Sequence, residues 1–174
     1  HPLQVRSHPR RGSRFRIVLA AVSGSGVVPS IARPDAVLPL PRRVLVVDDE
    51  APIRQAVTGL LQAHRLAVDA VADEAGAEAV LVQAAQGGNP VEVLLCDVRL
   101  ADGADGLAVA QRLRARFGPG LQVLLITGET APQRQQQMHD AGLQVLLKPV
   151  AADRLLQALA SLARHDRTHA GMHG

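Results

Sequence analysis

The chain has 174 residues, enough for one ordinary domain and an appendage, and 47% of them are hydrophobic, so a sizeable core can be buried. The single cysteine, Cys96, excludes an intrachain disulfide, and no apolar run reaches the roughly 20 residues a membrane helix needs. The net charge of +3 hides an asymmetry: residues 1–43 hold eight arginines against Asp35 alone, whereas residues 44–174 hold 11 cations against 15 carboxylates. The basic arm has no stacking aromatic beyond Phe15 and no nucleic-acid motif, so nucleic acid is not an expected partner. Together these features predict a soluble, cytoplasmic chain, and His1 in place of Met suggests a piece of a longer protein.

In chain order, residues 1–22 predict a β-hairpin: Gln4-Val5-Arg6-Ser7 and Phe15 to Ala20 flank a turn containing Gly12. An isolated hairpin is marginal in water, so it is expected to belong to a larger sheet. Residues 23–42 carry Ser23-Gly24-Ser25-Gly26 and then Pro29, Pro34, Pro39 and Pro41, a linker composition that places a domain boundary near Arg42.

From residue 43 to 164 strand and helix patterns alternate five times. The strands are Val44 to Val47, Leu66 to Val71, Val91 to Cys96, Leu121 to Ile126 and Leu143 to Leu147, each a near-continuous apolar run typical of parallel strands buried on both faces. The helices start near Pro52, at an N-cap on Asp73, at Leu107, after a Thr130/Gln133 capping box, and at Ala152; the last is expected to end at Arg164, leaving residues 165–174 as a tail. Short connections and right-handed crossovers give a doubly wound α/β fold.

Four of these strands end on chemistry. Asp48 and Asp49 follow the first, Asp97 the third, Thr127-Gly128 the fourth and Lys148-Pro149 the fifth. The carboxyl ends of parallel strands share one edge, where ligands bind, so three carboxylates, a hydroxyl and an ammonium converge. Unpaired carboxylates at such spacing repel one another, and an oxygen-only cluster without Cys or His favours Mg²⁺ over zinc. A cation, an ammonium and a hydroxyl around one carboxylate suit phosphoryl transfer, with Asp97 as the nucleophile forming an aspartyl phosphate. Lys148 is the only lysine in an arginine-rich chain, and an ammonium on a flexible stem makes contacts a guanidinium does not.

Val46-Val47-Asp48-Asp49-Glu50, Leu95-Cys96-Asp97, Ile126-Thr127-Gly128 and Leu147-Lys148-Pro149 resemble, in order and spacing, the receiver domains of two-component signalling. The resemblance covers about residues 43–164. It implies a flavodoxin-like five-stranded sheet of order 2-1-3-4-5 and phosphorylation by a histidine kinase or histidine phosphotransfer domain. It further implies that Asp49, Asp97 and the backbone carbonyl of Arg99 hold Mg²⁺, that Asp48 assists through water, that Thr127 and Lys148 contact the phosphoryl oxygens, and that the Lys148-Pro149 peptide is cis. Homodimerisation is compatible with it.

Arg11-Gly12-Ser13-Arg14-Phe15 and the strand that follows resemble the last hairpin of a histidine kinase ATP-binding domain, without its nucleotide-binding boxes. The combination suggests the C-terminal part of a hybrid sensor kinase; the alternatives are a stand-alone receiver or phosphate sink with a basic arm, or a docking module without phosphoryl chemistry. The chain departs from the family pattern in two places. Val145 stands where an aromatic usually precedes the lysine by three residues, and residues 98–106 lack the usual Met-Pro and are one residue longer. Arg99 and Glu129, each two residues beyond a site residue, are expected to form an ion pair across the site mouth that slows hydrolysis of the phosphoryl group. Cys96 is expected to be a buried core residue, and His64 and His139 exposed helix residues. His165, His169 and His173, spaced by four, are expected to lie in the tail.

Overall fold

A computed structural model describes residues 3–8, 12–17 and 40–170, with side chains over 40–163. The chain forms two compact units, residues 1–37 and 38–174. In the first, β1 (Leu3–His8) pairs antiparallel with β2 (Gly12–Ile17), with Val5 opposite Phe15 and Arg6 opposite Arg14; a hairpin forms as expected, but its second strand starts at Gly12, paired with His8, and not at Phe15. Residues 9–11 of the expected turn, residues 18–20 of the expected second strand, the linker positions up to Pro39 and His173 lie outside the described residues.

The second unit alternates β3 (Arg43–Val47), α1 (Ala51–Ala63), β4 (Ala67–Val71), α2 (Glu74–Gln86), β5 (Val93–Asp97), α3 (Gly106–Phe117), β6 (Gln122–Thr127), α4 (Pro132–Asp140), β7 (Gln144–Leu147) and α5 (Ala152–Ala170). All strand pairs are parallel and the order is β4-β3-β5-β6-β7, the predicted 2-1-3-4-5 of this unit's own strands. The two-residue period of a strand divides the core. Leu45, Val47, Leu94, Cys96, Val123 and Leu125 belong to one cluster with Ala77 and Leu81 of α2 and Leu113 of α3. Val44, Val46, Val93, Leu95, Leu124 and Ile126 pack instead with Leu61 of α1 and Leu155 and Leu159 of α5. The central strand β5 is buried along its whole length, each leucine contributing about 1.5–3 kcal/mol by leaving water.

Local signals account for most element ends. Asp73 caps α2, its carboxylate accepting from the Gly76 N–H at 2.8 Å, and Pro52 occupies the first turn of α1. Two expectations change. The capping box on Thr130 does not form: the N-cap of α4 is Ala131 with Pro132 behind it, and Glu129 supplies the local carboxylate, accepting from the Ala131 N–H at 3.3 Å. The helix predicted to stop at Arg164 continues to Ala170, so His165 and His169 stand on helical backbone. No glycine or proline interrupts residues 152–170, and Gly171 is the first residue after Ala152 that signals a stop. Among the described residues no helix is long and apolar enough to cross a membrane.

Candidate functional site

β3 and β5 are neighbours, with Val47 paired to Cys96, so the next residues, Asp48 and Asp97, emerge side by side at the carboxyl edge of the sheet. Both are 5% exposed, Thr127 is fully buried and Asp49 is half-buried. Carboxylate oxygens of Asp48, Asp49 and Asp97 lie within 4.8 Å of one another. At that distance and an effective dielectric of 20, two carboxylates repel by about 3 kcal/mol, so the cluster calls for positive charge.

Lys148 supplies part of it. Its Nζ donates to Asp97 Oδ2 at 2.7 Å and stands 3.8 Å from Asp48 Oδ2. The backbone places it: the Lys148 N–H donates to the Thr127 carbonyl at 2.7 Å, continuing the β6–β7 ladder past the strand end. Burial alone would lower the Lys148 pKa, but the bond to Asp97 and the charges of Asp97, Asp48 and Glu50 outweigh it and the net shift is upward. Burial raises the Asp48 pKa, reinforced by Asp97 and Asp49 and opposed by the Glu50 N–H and by Lys148. That N–H donates to Asp48 Oδ1 at 2.8 Å.

The remaining predicted residues surround this pair. The Arg99 N–H donates to Asp97 Oδ1 at 3.4 Å, and its guanidinium bonds Glu129 Oε2 at 3.0 Å, which is the predicted ion pair. Arg99 draws the Glu129 pKa below the usual range. The Glu129 N–H donates to Thr127 Oγ1 at 2.9 Å, and a Cβ added at the next residue, Gly128, would meet no atom within 4 Å. The Lys148-Pro149 peptide is cis, as expected. Val145 lies half-buried in β7 against the α2–α4 side of the core, so no ring is present at that position. Cys96 is buried as predicted, its thiol pushed up to about 12 by burial first and then by the Asp97 charge. His64 and His139 are exposed.

Because Asp48 and Asp97 follow Val46 and Leu95 by two residues, they sit above the α1–α5 layer of the core. There a cleft of about 500 Å³ is floored by Val46, Leu95 and Ile126 and walled by Ile53, Val57 and Pro149, with Asp48, Asp97 and Lys148 at its lining.

Several residues that sequence reasoning did not single out shape the site. Arg54 of α1 reaches back to the Asp48 carbonyl and ties down the loop bearing both aspartates. Gly106 starts α3 directly against the acceptor strand: a Cβ there would lie 1.9 Å from the Asp97 carbonyl oxygen. Asp105 caps α3 through the Leu107 N–H at 3.0 Å and is also bound by Arg134 of α4. Asp105-Gly106 before an apolar run is a readable N-cap signal, whereas nothing local marks Arg134 as its partner 29 positions on.

Comparison with known proteins places this geometry in a family. The family described as the response regulator receiver domain matches residues 44–160. The transcriptional regulatory protein AruR of Pseudomonas aeruginosa is 34% identical over 126 residues, 72% of this chain and 50% of that protein. The response regulator MprA of Mycobacterium sp. strain KMS is 30% identical over 76% of this chain and 55% of its own length. The chain thus spans about half the length of these curated relatives. Among solved structures, the chemotaxis protein CheY4 of Vibrio cholerae is similar at 29% identity and TM-score 0.59, covering 69% of this chain and 97% of that one. A receiver domain protein from Clostridium thermocellum shares the fold at 20% identity and TM-score 0.64, covering 73% and 98%.

Proposed function

Because the chain belongs to the response regulator receiver family, we propose that Asp97 takes a phosphoryl group from a phosphohistidine and later releases it to water. In the first step a P–O bond forms to a carboxylate oxygen of Asp97 as the P–N bond breaks, and the freed imidazole takes a proton. The observation that carries this reading is the buried Asp97 carboxylate, bonded by Lys148 Nζ at 2.7 Å inside a cluster of two further aspartates.

The oxygen-only donor set fits a hard divalent cation, and Mg²⁺ is the one we assign, held by Asp49, Asp97 and the Arg99 carbonyl with Asp48 assisting through water. Bound Mg²⁺ would supply charge neutralisation for the phosphoryl oxygens. Lys148 transfers its hydrogen bond from the carboxylate to a phosphoryl oxygen as charge accumulates there, and the Thr127 hydroxyl donates to another across the open space beside Gly128. The Arg99–Glu129 pair stands at the mouth and hinders the hydrolytic water.

The phosphodonor is a histidine kinase or histidine phosphotransfer domain, and the chain works in the cytoplasm. We read residues 1–22 as the last hairpin of a kinase ATP-binding domain, residues 23–42 as linker and residues 43–164 as the receiver, so that the chain belongs to a hybrid sensor kinase; the hairpin register supports this origin. Val145 in place of an aromatic also suits a second role, a phosphate sink that drains a relay without an aromatic output switch. Incubation with Mg²⁺ and phosphoramidate, followed by intact mass measurement, tests the reading. One added phosphoryl group that disappears in Asp97→Asn supports it; no adduct, or an undiminished adduct in Asp97→Asn, refutes it.

A further inference from the structure

We propose that Arg134, in the first turn of α4, is a positioning residue for the cation site, acting through Asp105 on the loop that carries the Arg99 carbonyl. The inference rests on the reading above, in which that carbonyl is a Mg²⁺ ligand.

Residues 98–106 close on themselves as a small hairpin. Arg99 forms an antiparallel bridge with Asp105, the Leu100 N–H donates to the Ala104 carbonyl at 3.2 Å, and the Gly106 N–H donates to the Val98 carbonyl at 2.9 Å. Asp102 and Gly103 turn the tip with φ of 58° and 73°. Arg99 and Asp105 are therefore opposite each other across one short ladder, and a displacement of Asp105 is carried to Arg99. Val98 and Leu100 are buried and anchor one side of this ladder. The Asp105 side is held differently. A cleft of about 360 Å³, lined by the charged side chains of Arg99, Asp105, Glu129 and Arg134 together with apolar Val98 and Leu100, lies between the loop and α4.

Two ion pairs span that cleft, Arg99 with Glu129 and Asp105 with Arg134. They differ in exposure. The Arg99 and Glu129 side chains are 75% and 29% exposed, those of Arg134 and Asp105 28% and 39%, so the carboxylates are comparable, the Arg134 cation is much the more shielded, and the second pair is the stronger candidate for holding geometry. Both ends of the Arg134 fork are engaged: Nη2 bonds Asp105 and Nη1 donates to Gln137 Oε1 at 3.0 Å on the same helix. The Asp105 carboxylate meanwhile accepts from the Leu107 N–H and fixes the start of α3. Arg134 thus ties three elements together at the point where the loop turns back towards the site. Because coupling between sites is reciprocal, cation binding at Arg99 also biases the start of α4.

The full chain, unphosphorylated, is titrated with MgCl₂ by isothermal calorimetry as wild type, Arg134→Met, Arg134→Lys, Asp105→Asn and the Arg134→Met/Asp105→Asn double variant. Asn retains the N-cap acceptor, so Asp105→Asn removes the ion pair and keeps the helix start. The sign is decisive. Simple Coulomb reasoning says that deleting the Arg134 cation strengthens Mg²⁺ binding; positioning says it weakens binding, by about fivefold, the lower end for coupled sites. We expect Arg134→Met and Asp105→Asn each to weaken binding, the double variant to be no worse than either, and Arg134→Lys to recover part of the loss. Unchanged or tighter binding in Arg134→Met, or additive losses in the double variant, overturns the proposal while wild-type binding leaves the cation site standing. Absence of Mg²⁺ uptake by the wild type overturns both.

Discussion

Gly106→Ala separates two opposed physical effects at the acceptor. Gly106 is the first residue of α3 and its φ is not in the left-handed region, so backbone freedom does not require glycine there. By propensity alone, alanine in place of glycine at a compatible position stabilises by about 0.4–1 kcal/mol through the unfolded chain. Space reverses the sign. The new Cβ would sit 1.9 Å from the Asp97 carbonyl oxygen and 2.9 Å from both the Asp97 carbonyl carbon and Val98 Cα, all backbone atoms, against an ordinary contact of 3.4 Å or more. Either α3 or the end of β5 has to retreat by about 1.5 Å, and overpacking of this kind costs about 1–3 kcal/mol. For a domain of this size that lowers Tm by about 4–15 °C. The same displacement moves Asp97 relative to Lys148, and misplacement by about 1 Å reduces rate by about 100-fold. The assay pairs thermal unfolding with the initial rate of phosphoryl uptake from phosphoramidate. Gly59→Ala serves as the contrast, because a Cβ at this exposed mid-α1 position meets nothing within 4 Å and should stabilise by up to about 1 kcal/mol. If both alanine variants stabilise alike and phosphorylate at the wild-type rate, the steric reasoning is wrong.

Two other outcomes follow from ion pairs. Arg99→Ala should accelerate loss of the phosphoryl group from the isolated phosphorylated chain, by no more than about fivefold because exposed pairs are weak; an unchanged half-life would remove Arg99 from any role in hydrolysis. Arg112 grips Glu74 through two hydrogen bonds of 2.8 and 2.6 Å and lowers its pKa below the ordinary value of 4.5. A depressed carboxylate pKa contributes stability above the unfolded value that is lost as pH falls through the folded one. Urea unfolding should therefore show wild type more stable than Glu74→Gln at about pH 6, with the difference shrinking as pH is lowered below the ordinary carboxylate range; a constant difference on acidification would mean that the pair does not titrate with folding.

Much of this geometry was legible because it depends on repetition and on strand ends. Runs such as Val44 to Val47 and Val93 to Cys96 announce strands buried on both faces, and once strands are parallel their terminal residues must share an edge, so Asp48, Asp97, Thr127 and Lys148 could be brought together from order alone. The Arg99–Glu129 pair was readable because both residues hang two positions beyond residues already placed. What stayed hidden depends on tertiary distance. Arg134 and Asp105 belong to different helix starts, and no local pattern specifies that they meet. Nothing local marks Gly106 as a packing glycine; only its closeness to the Asp97 backbone gives it a reason. The α4 start was misplaced by one residue, since Pro132 at the first turn outweighs a Thr130 capping signal, and α5 outran its predicted end because no Gly or Pro precedes Gly171.

The most direct test locates the phosphoryl group chemically. Treating the Mg²⁺- and phosphoramidate-exposed chain with borohydride reduces an aspartyl phosphate to homoserine, which peptide mass mapping assigns to one position. Conversion at Asp97, and at neither Asp48 nor Asp49, is the result expected from a carboxylate bonded to Lys148 at 2.7 Å. Conversion at Asp48 or Asp49, or no conversion at all, would contradict Asp97 as the acceptor.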